Sequence, residues 1–569
     1  MKINHNYKLA VAFIATVIML GACTKLDEKP YDIITSANFL QTKDDVVRDF
    51  LRSFEHGFWS IQVTYQGQED ASDELMTPNR QGDWFDGGTY QRLHYHTYLP
   101  TDGYNNDVWN AMYQGIDLAT NSLQDIQAID PAKFGMTAAE QADYVAELRI
   151  HRAWFYIRLL DYYRNVEIIT KVKGVNTGVT QSTPQETFDF IVSEIQQSLP
   201  DLPTRESLGA NGLGRWTKGA AMSLLARLYL NAKVYTGVDK FSDCATVCQD
   251  IISGKYGNYS LESRWDAPFD YNNGQSPESI FAFPSSFGYT HWHYTGGMYF
   301  NCYPYNAIQY FGFTDWGTMN PKFEMQPGRD IKGNELTTTL GKPFVKFQKY
   351  GDDVRLKLYK NLGNSTREGM FLFGYLSYKD ASGNTQNVQG TRGYTLYLRD
   401  QVGYFLATPP GQAPDDQESD MNHADQNSGI CFVKYPFYPS DDLNKISSAY
   451  AEIRLAEIYY SLAECKYRAG DKAAAALLLN TVRKRYYPAG SPSLYPVDGS
   501  TLNDQEMIDE WGREFLGEGR RRTDLIRWGV FSTGSWWDKK PDADNHAEIF
   551  PIGKDILNIN PQLKQNPGY

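Results

Sequence analysis

Apolar residues recur at helical spacing over much of both ends of the chain. In 449–468, Ile453, Ala456, Tyr460, Ala463 and Tyr467 follow steps of 3, 4, 3 and 4, which predicts one amphipathic helix. Ala469-Gly470-Asp471 breaks the pattern, with Gly suited to a C-cap and Asp to the next N-cap. The partner helix runs to about Arg485 and stops before Pro488. Together they make an αα-hairpin of about 34 residues, with Ala476 and Pro488 placed as in a tetratricopeptide unit. In 217–232 the stripe is Ala221, Leu224, Leu225, Leu228 and Ala232, with small residues beside it that permit close helix packing. Thr42 with Asp45 predicts a capped helix start, and Thr183-Pro184-Gln185-Glu186 predicts a second, running to about Leu199. Further helices are predicted over 105–129, 138–163, 239–252 and 503–527.

Residues 257–445 lack this period. They are rich in Gly, Pro, Tyr, Asn and Asp, with short strand-like runs such as Tyr394–Leu398 and Cys431–Tyr435. Long irregular stretches between helical blocks more often carry function than not. The fold class is therefore mainly α: tetratricopeptide-like helix pairs form a scaffold, with a large loop-rich irregular insertion carrying short strands. The expected division is 36–256 as an N-terminal helical block, 257–445 as the insertion that binds ligand, and 446–569 as a C-terminal helical block with a terminal loop.

The N-terminus reads as a targeting segment. Lys2 and Lys8 precede the apolar run Leu9–Leu20, which is short for a membrane span and right for a signal peptide over 1–22. Leu20-Gly21-Ala22-Cys23 resembles a bacterial lipobox, so Cys23 is the expected lipidation site, with 23–35 as an extended tether.

Composition adds two constraints. The chain has 569 residues, too many for one small core, and a net charge of −13, which argues against a nucleic-acid partner. Its 40 Tyr, 29 Phe and 12 Trp suggest an aromatic-lined binding surface besides the core. After Cys23, the remaining Cys244, Cys248, Cys302, Cys431 and Cys465 form no disulfide framework and are expected as buried small hydrophobes. His94-x-His96 and His291-x-His293 have no third ligand at a recognisable spacing, so no metal and no cofactor is expected. Nucleotide-binding, serine-hydrolase and zinc-protease motifs are absent.

Two segments carry candidate binding chemistry. An aromatic plate flanked by carboxylate, amide and guanidinium groups suits a ligand with an apolar face and a polar rim. Asn79-Arg80-Gln81-Gly82-Asp83-Trp84 has that mix, so Arg80 and Trp84 are candidate ligand contacts, with Asp70 or Asp73 as hydrogen-bond acceptor. The same acidic residues and Arg80 would equally suit a structural ion-pair network. The second segment, Phe287–Trp316, offers Trp292 and Trp316 as platforms. Asp352-Asp353-x-Arg355 is expected to be structural.

Several segments, in order, resemble the SusD/RagB outer-membrane lipoproteins of Bacteroidetes. These are Trp109–Tyr113 with Asn121, Arg152–Leu159 with Tyr163 and Thr170, Trp216–Leu230, Arg454–Tyr459 with Asn480–Arg483, Glu514–Arg520 with Asp524–Trp528, and the ending Gln565–Tyr569. Arg164-Asn165 and Ile168 depart from the Gly and Pro common there. The resemblance implies four tetratricopeptide-like helix pairs supporting an irregular ligand-binding half, and family-typical segments that are mostly scaffold. It also implies a lipid-anchored protein of the cell outer membrane, exposed on the surface and not an enzyme. Such a protein captures oligosaccharide and closes as a lid over a TonB-dependent, SusC-like barrel transporter. Asp27-Glu28 resembles the surface-export signal of such lipoproteins. A peptide-binding relative, and behind it a surface glycoside hydrolase or an adhesion lipoprotein, are the alternatives.

Overall fold

The computed structural model describes residues 39–80, 82–172, 180–285, 301–313, 322–390, 395–403, 418–424, 429–438 and 448–569. Cys23, His291, His293, Trp292 and Trp316 lie outside these residues. The chain divides into a unit of residues 1–46 and a compact unit of residues 47–569.

In the first unit, the Lys43–Asp70 helix starts as expected: Thr42 Oγ1 accepts from the Asp45 N–H (3.2 Å), and Asp45 Oδ2 accepts from the Thr42 N–H (2.9 Å). In the second unit, long helices pack in sequence-adjacent pairs: Gly103–Ala128 on Ala138–Tyr163, Ala138–Tyr163 on Pro184–Ser198, and Lys218–Leu230 on Phe241–Ile252. Leu455–Arg468 packs on Lys472–Arg483 and also on Phe241–Ile252, so the last hairpin returns to the N-terminal helices across the insertion. Gly115 shows how close these helices come. A Cβ there would sit 2.2 Å from the Phe155 ring, which only Gly avoids.

The capping signals held. Thr183 and Glu186 form a capping box with Pro184 in the first turn, and Asp471 accepts from the Ala474 N–H after Gly470 turns at φ 86°. Two predicted helices did not form as read. Residues 450–454 are a strand, not the first turns of a helix: Tyr450–Arg454 pairs antiparallel with Ser279–Phe283, and the helix starts at Leu455. All of these strand residues are buried, so apolar spacing in a fully buried run could not tell strand from helix. The 503–527 segment is two helices, Asp504–Phe515 and Arg521–Arg527, separated where Gly517 and Gly519 turn at φ 65° and 68°.

The insertion carries only short described strands, in two-stranded antiparallel pairs. Cys431–Phe432 pairs with Phe371–Leu372, and Leu75–Met76 pairs with Glu324–Met325, so the insertion is stitched to the end of the first long helix. Arg355 is buried, bonded to Asp353 through Nε and Nη2 and stacked 3.5 Å from the Tyr486 ring, a structural role as expected. The five described cysteines are buried; Cys244 and Cys248 sulfurs lie 4.0 Å apart. Among the described residues, no helix is long and apolar enough to cross a membrane.

Candidate binding site

The Asn79–Tyr90 loop leaves the helical body through the Leu75–Met76 strand. Its first turn is closed by local bonds: the Gly82 N–H donates to Asn79 Oδ1 (2.7 Å), and the Arg80 N–H donates to the Asp83 carbonyl (3.0 Å). The next residues bend sharply. Gly82, Trp84, Asp86, Gly87 and Gly88 all have positive φ, at 105°, 61°, 42°, 64° and 83°. A bulky residue such as Trp in this region is strained, and such strain gathers at functional sites. The bend is held by Arg92 on the following helix, Thr89–Tyr95. Its Nε bonds both oxygens of Asp102 (2.9 and 3.0 Å), and its Nη1 donates to the Gly87 carbonyl (2.9 Å).

The result is an aromatic projection. Trp84 is half-buried, edge-on to Tyr90 at a centroid distance of 6.1 Å, and its indole N–H has no acceptor among the described residues. Phe85 beside it is 48% exposed, and Asp83 and Asp86 are exposed. Beneath the rings lies Lys322, a residue sequence reasoning missed. Its ammonium is 4.8 Å from the Tyr90 ring and 5.8 Å from the Trp84 ring, and donates to Gln66 Oε1 (2.5 Å). No motif marks a lone Lys some 240 residues away in sequence as part of this loop.

Arg80 lies under the loop rather than on it. Its Nε donates to Glu324 Oε1 (2.6 Å), Nη2 donates to the Lys322 carbonyl (3.1 Å), and its guanidinium sits 5.9 Å from the Tyr305 ring. The Tyr305 hydroxyl donates to Asp83 Oδ2 (3.2 Å), tying the exposed turn to the insertion. Arg80 is therefore a buried strut beneath the loop, where the sequence reading offered it as a direct ligand contact.

Asp70 and Asp73 are both wholly buried. Asp70 accepts from the Thr77 hydroxyl (2.8 Å). Burial pushes its carboxyl up to about 7, against the pull of Lys322, Thr77 and Arg80. Burial likewise pushes Lys322 down to about 8, opposed by Asp70. Asp73 accepts from Lys346 (2.9 Å), Arg521 Nε (2.6 Å) and the Gly341 N–H (2.9 Å). Burial alone would raise its carboxyl, but Arg521 and Lys346 hold it well below the usual range. Asp73 thus belongs to the structural ion-pair network that was the alternative reading, because every direction from its oxygens is filled by a cation or a backbone donor. His94 and His96 are held in pairs with Asp538 (2.6 Å) and Asp542 (2.7 Å).

A family model described as the SusD family matches residues 253–569, more than half of the chain, and one described as starch-binding, associating with outer membrane, matches 38–230. The chain belongs to the SusD family. It is 27% identical to the starch-binding protein SusD of Bacteroides thetaiotaomicron over the full length of both chains. Solved SusD-like structures share its fold. A SusD homologue from Bacteroides thetaiotaomicron has a TM-score of 0.67 at 17% identity, covering 94% of this chain and 98% of that one. A laminarin-binding SusD-like protein has 0.63 at 19%, covering 93% and 100%.

Two of the family segments, Arg454–Tyr459 and Glu514–Arg520, meet in a buried ion-pair network. Arg454 bonds Glu514 (2.6 Å), Glu518 (2.8 Å) and Glu278 (3.4 Å), all buried. Arg485 closes the ring on Glu278 (2.6 Å) and Glu514 (2.7 Å). Burial would raise the Glu514 carboxyl; Arg454, Arg485 and Arg355 hold it at about 2 instead. These motifs of the SusD family are scaffold in this chain.

Proposed function

We propose that this SusD-family chain is a non-enzymatic glycan-binding protein of the cell surface, lipidated on Cys23. In this reading it hands oligosaccharide to a TonB-dependent, SusC-like barrel in the outer membrane and serves as that barrel's lid. The observation that carries glycan binding is the Trp84 loop. It pairs a strained, half-buried indole with an exposed Phe85 and flanking carboxylates, the pairing of apolar plate and polar rim that a pyranose requires. Starch and laminarin, named for two relatives, are the first glycans to try.

Trp84 is the platform in this proposal, with Trp292 and Trp316 as further platforms from the insertion. Arg80 and Asp70 act from beneath, fixing the loop and its charge.

The lid role is tested in the native host. Affinity purification of the tagged chain in mild detergent is expected to bring down a barrel transporter. The Cys23→Ala variant, in a host lacking that transporter, is expected to leave washed membranes, because lipid on this residue is the anchor in this reading. Recovery of the chain alone, or retention of the variant, would count against the lid and the anchor respectively.

A further inference from the structure

A second aromatic surface stands on the insertion, built from none of the residues of the Trp84 loop. In the Gly374–Tyr375 and Tyr397–Leu398 strand pair, Tyr375 and Tyr397 are directly opposite and so share one face. Their centroids are 4.7 Å apart with the planes at 53°, which makes an open V. Tyr375 is 45% exposed and Tyr397 39%. Arg399, two residues on along the same strand face, sits 5.3 Å from the Tyr397 ring.

Tyr397 forms one wall of an open cleft of about 600 Å³, the size of a site for a short oligosaccharide. Phe373, Phe344 and Leu356 give it apolar lining, while Arg329, Gln348 and Asp400 give it polar lining. Asp400 is 8% exposed. Its Oδ1 accepts from the Gly328 N–H (2.6 Å), but Oδ2 has no hydrogen-bond partner among the described residues; Arg329 Nε stands 4.0 Å away. A buried carboxylate oxygen without a donor is costly to leave so, and a hydroxyl entering the cleft would supply one. Burial pushes the Asp400 carboxyl up to about 6, against the Gly328 N–H and Arg329, so it is largely ionised and an acceptor at neutral pH.

We propose that the Tyr375–Tyr397 pair and the adjoining cleft are a second saccharide-binding site, which takes a neutral pyranose unit with its C–H face on Tyr397 and its hydroxyls toward Asp400 and Gln348. The choice of saccharide rests on the glycan reading of the chain; the site itself is separate from the Trp84 loop. Two sites on one body change what the protein holds. A long chain can engage both at once, so its apparent affinity exceeds that of either site. A short one cannot span them, and binds each alone.

The test uses the full chain in four forms: wild type, Trp84→Ala, Tyr375→Ala/Tyr397→Ala, and all three substitutions together. The probes are soluble starch and laminarin in affinity gels, with maltohexaose and laminarihexaose in calorimetry. The Tyr variant is expected to lose at least tenfold in affinity for the polysaccharide that wild type retains, and to drop from two hexasaccharides bound to one. Trp84→Ala alone should keep weak retention that the triple variant lacks, and Tyr375→Phe/Tyr397→Phe should bind as wild type does. If the double Ala variant melts early, Tyr375→Ala alone, at the barer ring, answers the same question. Unchanged polysaccharide affinity in the Tyr variant overturns the second site while leaving the Trp84 proposal intact. Loss in the Tyr variant with none in Trp84→Ala does the reverse. Wild type that binds neither glycan, or that binds only peptides at the Tyr pair, overturns the second site as a saccharide site.

Discussion

The Arg454 network and the Trp84 loop spend charge and backbone in opposite ways. Around Arg454, five buried carboxylate–guanidinium pairs join Arg454 and Arg485 to Glu278, Glu514 and Glu518, and each charge is answered by another. Around Trp84, backbone in left-handed conformations holds a half-buried indole and an exposed Phe85 above a half-buried lysine. The first arrangement resists change and the second is built to present a surface. Residues that mark the family therefore sit in the rigid half, while the residues proposed to meet ligand sit where no family motif points.

The largest effect is expected from breaking the rigid side. Arg454→Ala leaves Glu514, Glu518 and Glu278 short of a counter-charge in the interior, and should cost about 3–5 kcal/mol of stability. Denaturant unfolding of the variant checks this; a loss under about 1 kcal/mol would mean that the network is dispensable.

Beneath the loop, the expected effect depends on pH. Folded Asp70 keeps its proton up to about 7, whereas an unfolded Asp releases it near 3.8. The folded state thus binds more protons between those values, so this group's contribution to stability falls as pH rises through that window. Asp70→Asn should be more stable than wild type by about 1–2 kcal/mol near pH 5 and by about 4 kcal/mol near pH 8, where the wild-type carboxylate is charged in the interior. Thermal melts at the two pH values decide it, and equal gains at both would remove Asp70 burial as the cause. His151 runs the other way. Its Nε2–H donates to the Ser53 carbonyl (3.0 Å) and its Nδ1 accepts from the Trp216 indole (3.1 Å), which requires the neutral ring. Burial holds its protonation down to about 3, against 6.5 when unfolded, so this contribution is lost as pH falls from 6.5 toward 3.

The smallest expected effect on stability comes from the loop itself. Gly82 turns at φ 105° with open space where a Cβ would go, so Gly82→Ala meets no neighbour and pays only for backbone strain. A loss of about 1 kcal/mol is expected. If the loop is a presenting surface, the same variant should weaken glycan binding more than it lowers the melting temperature.

Capping residues and heptad-like stripes made the helical half legible. Thr183, Asp471 and the 138–163 run gave their elements almost to the residue, because caps and amphipathic faces act locally. The Tyr450–Arg454 strand was not legible, since its partner, Ser279–Phe283, lies some 170 residues away and both are buried. At the candidate site, residue types were readable but their depth was not. Asp73 and Arg80 have the chemistry of ligand contacts, and only three-dimensional partners such as Arg521, Lys346 and Glu324 reveal them as interior ions. Lys322 was invisible for the same reason.

The central claim is that the Trp84 loop is a ligand platform and not packing. It is tested most directly by calorimetric titration of oligosaccharides from starch and laminarin into wild type and Trp84→Ala, with the melting temperature of each as control. A lid must release what it captures, so wild type is expected to bind with a dissociation constant of about 10 μM to 1 mM. Trp84→Ala should bind one hexasaccharide fewer and hold the polysaccharide about tenfold more weakly, at an unchanged melting temperature, because the indole is half-buried on a loop outside the helical core. Wild-type affinity in the variant, or a binding loss that simply follows a lowered melting temperature, would contradict the account.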